Sequence, residues 1–100
     1  EFHTLVAGEN GGLSGMLVYY FIPFTFDLRP TLFIKELFVA KEARGKHIGE
    51  ALFTTAREQA ERRKCGHIKW DVLYDNTDAM HFYARQGARH DARWLGYVLD

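Results

Sequence analysis

Hydrophobic and polar residues follow two different periods along this chain. In the first third the pattern is that of strands. Phe2 to Ala7 is a short apolar run, Gly8-Glu9-Asn10-Gly11-Gly12 reads as a turn, and Leu13 to Ile22 is a second run dense in β-branched and aromatic residues. Two such runs around a glycine-rich turn predict a β-hairpin. Pro23 to Pro30 reads as a loop. Thr31 to Val39 is the next strand, in which Leu32, Ile34 and Glu36 alternate with Phe33, Lys35 and Leu37. Apolar residues on both faces put that strand well inside a sheet.

Beyond the polar segment Lys41 to Lys46 the period changes. Ile48, Ala51, Leu52, Ala56 and Ala60 recur at helical spacing and predict a helix over Ile48 to Lys64. Arg57 with Glu61, and Glu58 with Arg62, set opposite charges four residues apart on its wet side. Gly66 stands where a left-handed helix cap is expected. His67 to Leu73 reads as a strand. Asn76-Thr77-Asp78 offers capping chemistry for a second helix, Asp78 to Gln86, which Gly87 closes. Ala88 to Arg89 and Leu95 to Leu99 are the last strand candidates. The order strand, strand, strand, helix, strand, helix, strand predicts an α/β (α+β) fold, with a mixed, mostly antiparallel sheet flanked by helices.

Composition narrows the partners. The 100 residues, 47% hydrophobic and 15% aromatic, suit one packed domain over 1–100. Thirteen Lys and Arg balance thirteen Asp and Glu, so the basic excess of a nucleic-acid binder is missing. No apolar run approaches the roughly 18 residues of a membrane helix, and no secretory leader is visible. A single cysteine, Cys65, forbids an internal disulfide and fits a cytoplasmic setting.

The segment Val39-Ala40-Lys41-Glu42-Ala43-Arg44-Gly45-Lys46-His47-Ile48-Gly49-Glu50 joins a strand to a helix. The first turn of a helix offers free N–H groups and partial positive charge, glycines allow close approach, and Arg44 and Lys46 add cationic charge. Those are the parts of a pyrophosphate site. On spacing alone an ordinary strand-to-helix turn with a solvated basic loop fits equally. The loop is neither a Walker A motif nor a GxGxxG fingerprint.

Arg44-Gly45-Lys46-His47-Ile48-Gly49 resembles the Arg/Gln-x-x-Gly-x-Gly/Ala signature of the GNAT superfamily of N-acetyltransferases, with His47 standing where the middle glycine is usual. The resemblance continues at Asn76-Thr77-Asp78-Ala79-Met80-His81-Phe82-Tyr83-Ala84-Arg85-Gln86-Gly87-Ala88, which is similar to the family's Asn-x-x-Ala-x-x-Phe-Tyr-x-x-x-Gly-Ala segment at every fixed position. It covers Leu13 to the C-terminus, and the strand Glu36-Leu37-Phe38-Val39 and the C-terminal half look like those of diamine acetyltransferases. It implies acetyl-CoA as cosubstrate, held by Leu37, Phe38, Val39, Arg44, Gly45, Lys46, His47, Ile48, Gly49, Glu50, Asn76, Ala79 and Tyr83. It also implies a further strand and one or two helices before the hairpin, which this chain begins too late to hold.

The implied reaction is attack of an amine on the thioester. An alkyl amine with pKa about 10.4 is protonated at neutral pH, so a base must act. Glu36 is the candidate, with Asp71 and Asp75 in reserve, and Glu36 reads equally as a solvated strand carboxylate. Lys35 stands where diamine acetyltransferases often carry an acid. A backbone N–H near Val39 is the candidate for stabilising the tetrahedral oxyanion. Tyr83 is the implied proton donor to the departing thiolate; from its own surroundings in the sequence it reads as a core aromatic. Cys65 invites an acyl-enzyme route but reads as a buried structural thiol. The five histidines form no HxxxH pair, so no metal site is expected. The competing functions are a non-catalytic acyl-CoA-binding module or sensor, and an interaction domain keeping the fold alone. A homodimer is a further expectation, with Phe24, Phe26 and Trp94 as candidate lining for an acceptor pocket or a dimer face.

Overall fold

The computed structural model describes residues 1–9, 12–23 and 28–100. Strands β1 (His3–Glu9), β2 (Gly12–Ile22) and β3 (Thr31–Val39) precede a 3-10 turn (Lys41–Ala43) and helix α1 (Ile48–Arg62). Strand β4 (His67–Lys69) and helix α2 (Thr77–Arg85) follow. The sheet runs β1-β2-β3-β4, antiparallel except for the β3–β4 pair, which is parallel. The mixed, mostly antiparallel sheet with helices is as the periodicity predicts. Asn10, Gly11, Phe24 and Phe26 lie outside the described residues.

One face of the sheet carries the core. Leu5, Ala7, Leu17, Tyr19, Phe21, Leu32, Ile34 and Leu37 gather beneath Leu52, Phe53, Ala56 and Ala60 of α1. Leu17 and Leu32 are wholly buried, each contributing about 1.5–3 kcal/mol. The buried face of α1 is Gly49, Leu52, Phe53, Ala56 and Ala60. Ala51, expected on that face, is exposed, and Phe53 takes its place because the rings of Trp70, just after β4, and of Phe82 and Tyr83 on α2 close around it.

Close approach of helix and sheet depends on Gly15 in β2. A Cβ there would meet Ile48 Cγ2 at 2.9 Å and Leu52 Cδ1 at 3.2 Å. Only a residue without a side chain lets the first turn of α1 settle onto the strands.

The strict alternation expected in β3 breaks at Lys35. Val18 pairs with Glu36 and Tyr19 with Ile34, so Lys35 is an extra residue opposite no partner of its own. This β-bulge shifts the side-chain parity. Leu32, Ile34 and Leu37 therefore share the core face, whereas Glu36 and Phe38 fall on the other face of the sheet, both exposed.

Both helices end in Schellman caps. In α2, Gly87 takes the left-handed position at φ 90°, with Gly87 N–H donating to the Ala84 carbonyl and Ala88 N–H to the Tyr83 carbonyl, as its sequence position predicts. In α1 the same bonds run from Lys64 to Glu61 and from Cys65 to Ala60, and Lys64, not Gly66, is the left-handed residue at φ 56°. The Gly66 N–H instead donates to the Pro30 carbonyl, tying the loop before β3 to the start of β4.

Two strand expectations fail. Strand β4 stops at Lys69, and Val72, Leu73 and Tyr74 are exposed. Ala88 to Arg89 and Leu95 to Leu99 form no strand, and Leu95 and Tyr97 to Leu99 are 80–100% exposed. These segments have strand-like composition, but a strand is defined by a ladder partner, and no described residue provides one.

Candidate active site

The loop from β3 into α1 contains two backbone residues at positive φ, Gly45 at 84° and His47 at 62°. Around them, among the described residues, the N–H groups of residues 45–50 form no hydrogen bond, and the first helical bond runs from Ala51 N–H to the His47 carbonyl. Successive amides of alternating hand make a concave anion-binding nest, and the first turn of α1 adds the helix's partial positive charge. Arg44 and Lys46 are exposed beside it. The donor set fits a diphosphate.

His47 is the departure from the signature, and its backbone explains why. At φ 62° and ψ 23° it sits in the left-handed region where glycine is favoured. Histidine is among the side chains that tolerate this region best. Its ring is 83% exposed and Nδ1 lies 3.2 Å from Glu50 Oε2. Position 47 thus presents its amide, while its ring faces solvent beside the Glu50 carboxylate.

The second motif packs against the first. Gly49 is buried beneath Phe82, where a Cβ would lie 3.0 Å from Phe82 Cζ and 3.6 Å from Val39 Cγ2. Thus β3, the first turn of α1 and α2 meet at one point. Asn76 caps α2, its Oδ1 accepting from the Ala79 N–H at 3.2 Å, which is the role its residue type suggests. Arg57 donates to the Gln86 carbonyl at the end of α2, so it bridges the two helices, and the expected Arg57–Glu61 pair does not form.

Tyr83 is half-buried in an aromatic cluster. Its ring centroid lies 5.1 Å from that of Trp70, 5.7 Å from Phe82 and 6.0 Å from Phe53. Burial pushes its phenol above the usual tyrosine range, so the neutral, proton-bearing form is held through neutral pH. Periodicity and motif did not point to Trp70, Phe53 or the Gly49–Phe82 contact. An aromatic residue beside a glycine of the adjoining motif was the available signal.

Glu36 stands apart from this cluster. It lies on the sheet face opposite α1, exposed, and forms no ion pair among the described residues. Leu37 joins the core, while Phe38 shares the outer face. The Ala40 N–H, next to Val39, donates to the Ser14 carbonyl at 2.8 Å. Asp71 and Asp75 are exposed in the segment between β4 and α2.

Cys65 is half-buried rather than buried. Desolvation pushes its thiol up, against smaller opposing effects from Arg63 and the Leu32 backbone, which disfavours the thiolate a nucleophile needs. It lines a shallow hollow with Leu28, Arg29, Pro30, Glu61 and Lys64. That hollow is at the C-terminal end of α1, about 20 Å from the anion nest at the other end by the rise of a 15-residue helix. No group of three or more His, Cys, Asp or Glu among the described residues is placed to hold a metal, and no described helix is long and apolar enough to cross a membrane.

A sequence profile of the Acetyltransferase (GNAT) family matches residues 1–88. The chain belongs to the GNAT family. Among curated GNAT relatives, a thialysine N-epsilon-acetyltransferase of Sus scrofa is 33% identical over 96 residues, covering 88% of this chain and 56% of the relative. A streptothricin acetyltransferase of Streptomyces lavendulae is 34% identical over 85 residues, covering 84% of this chain and 43% of the relative. An integron cassette protein from V. cholerae superposes with a TM-score of 0.91 at 27% identity, covering 97% of this chain and 60% of that one. The chain thus spans about half the length of these curated GNAT relatives.

Proposed function

We propose that this chain carries the acyl-CoA-binding and catalytic core of an N-acetyltransferase, which moves an acetyl group from acetyl-CoA to a primary amine of a small molecule or peptide by direct attack. The observation that carries this reading is the run of unengaged amides at residues 45–50, set between Arg44, Lys46 and the N-terminus of α1. That nest suits the diphosphate of CoA. The Gly49–Phe82 contact joins it to the helix bearing Tyr83, and Val39, at the end of β3, leads into it.

In this reading Arg44 and Lys46 neutralise the diphosphate. Leu37, Phe38 and Val39 run beside the pantetheine arm, and Asn76 and Ala79 bound its far side. Glu36 relieves the attacking amine of its proton, directly or through water. Tyr83 donates a proton to the thiolate as the carbon–sulfur bond breaks. A thiol near pKa 8.5 is a better leaving group once protonated. The relatives named for thialysine and streptothricin support amine acceptors. The single cysteine supports a reducing, cytoplasmic setting. The exposed Leu95, Tyr97, Val98 and Leu99 support a homodimer, which light scattering tests.

A second reading, an acyl-CoA-binding module without turnover, is favoured by one observation: the candidate base Glu36 lies on the opposite sheet face from α1. Calorimetry with CoA, together with acetyl-CoA consumption over an amine panel that includes thialysine and ornithine, separates the readings. Binding with turnover is expected. Binding without turnover establishes the module, and absence of binding sinks both.

A further inference from the structure

Helix α2 has no fully buried residue. It is held by the rings of Phe82 and Tyr83 and by the bond from Arg57 to the Gln86 carbonyl. Phe82 belongs to α2 itself, and Phe53 is a core residue 2% exposed. Trp70 is different. It is the first residue after β4, half-buried, with its ring edge-on to Tyr83 at 5.1 Å and 61°. It also meets Phe53 at 5.1 Å, and Phe53 and Tyr83 are themselves 6.0 Å apart, so the three rings close a triangle.

A tyrosine on a short, shallowly seated helix has two side-chain torsions to settle. Of its ring neighbours among the described residues, Trp70 is the one that approaches from outside both helices and lies nearest. We infer that Trp70 is a positioning residue: it fixes the ring of Tyr83 so that the phenol hydroxyl keeps one direction toward the leaving sulfur. The inference rests on Tyr83 being the proton donor of the proposed reaction. Positional errors near 1 Å at a reacting group cost about a hundredfold in rate. Trp70 also covers one side of the Tyr83 ring, and burial is what raises that phenol.

The test compares Trp70→Ala, Trp70→Phe, Tyr83→Phe and the double variant Trp70→Ala/Tyr83→Phe. Trp70→Ala is expected to lower kcat about tenfold or more, with KM for acetyl-CoA within about twofold. Trp70→Phe keeps most of the rate. In the Tyr83→Phe background, Trp70→Ala costs nothing further, because the group it positions is gone. In the unliganded protein, carbon NMR of ring-labelled tyrosine should show the Tyr83 titration falling in Trp70→Ala and unmoved in Trp70→Phe. Should Trp70→Ala fail to fold, Trp70→Leu serves the same comparisons. Losses that multiply in the double variant, or an unmoved Tyr83 titration, overturn the role of Trp70 while leaving the reaction intact. Full kcat in Tyr83→Phe instead removes the proton donor, and the inference with it.

Discussion

Gly49 in the first turn of α1 lies directly under the ring of Phe82 on α2, close enough that a Cβ would stand 3.0 Å from Phe82 Cζ. The contact joins the two sequence motifs in space. A β-branched side chain there must push α2 away. Gly49→Val is expected to destabilise the fold by about 1–3 kcal/mol and to weaken CoA binding, as read by denaturant unfolding and calorimetry.

Arg44 contributes charge at the nest and little to packing, since it is exposed. Arg44→Ala should weaken CoA binding about tenfold, near the value of a charge-assisted hydrogen bond, with no change in melting temperature. The loss should shrink in high salt. Dephosphorylated pantetheine should bind wild type and variant alike.

His47 and Lys64 both hold left-handed backbone with side chains that strain it. Glycine at either position removes that strain, at some cost in unfolded-chain freedom. His47→Gly and Lys64→Gly are each expected to raise stability by about 0.5–1 kcal/mol, and His47→Gly should keep CoA affinity. A fall in affinity would assign the imidazole a role in binding.

Tyr83→Phe should cut kcat about a hundredfold while the Kd for acetyl-CoA barely moves. Because the folded phenol titrates above the usual tyrosine value, the wild-type kcat should persist past pH 10, and its alkaline limb should vanish in the variant. The sign carries over to stability. A raised folded pKa stabilises the fold fully below the unfolded value near 10, and that contribution is lost as pH climbs through the folded one.

The raised Cys65 thiol predicts slower alkylation by iodoacetamide at pH 8 than a free cysteine shows. Cys65→Ala should retain acetyl transfer. Its loss, with the fold intact, would revive an acyl-enzyme route.

The two helices, the three antiparallel strands and the turn between β3 and α1 were legible because each follows a clear period or carries a recognised motif. The register of β3 was not. Nothing in Ile34-Lys35-Glu36-Leu37 announces that Lys35 is supernumerary, because the bulge is decided by pairing with β2. The end of α1 was misread for a related reason. Gly66 has the right residue type, but the left-handed turn falls two residues earlier, at Lys64, where the helix meets its own carbonyls. The C-terminal strand was inferred from apolar content at Leu95 to Leu99, and composition cannot supply a neighbouring ladder. At the site, Asn76 and the glycines could be read from type and spacing. Trp70 could not, since only tertiary folding brings it beside Tyr83.

The supernumerary Lys35 has one more effect. Were that residue drawn into the ladder as an ordinary paired position, β3 would keep a strict two-residue beat against β2 with none skipped, and everything downstream in the strand would turn over like a card. The Glu36 carboxylate would then point into the oily layer beneath α1, while Leu37 would swing out to water. One lysine therefore determines which side of the sheet carries the acid and which carries the grease.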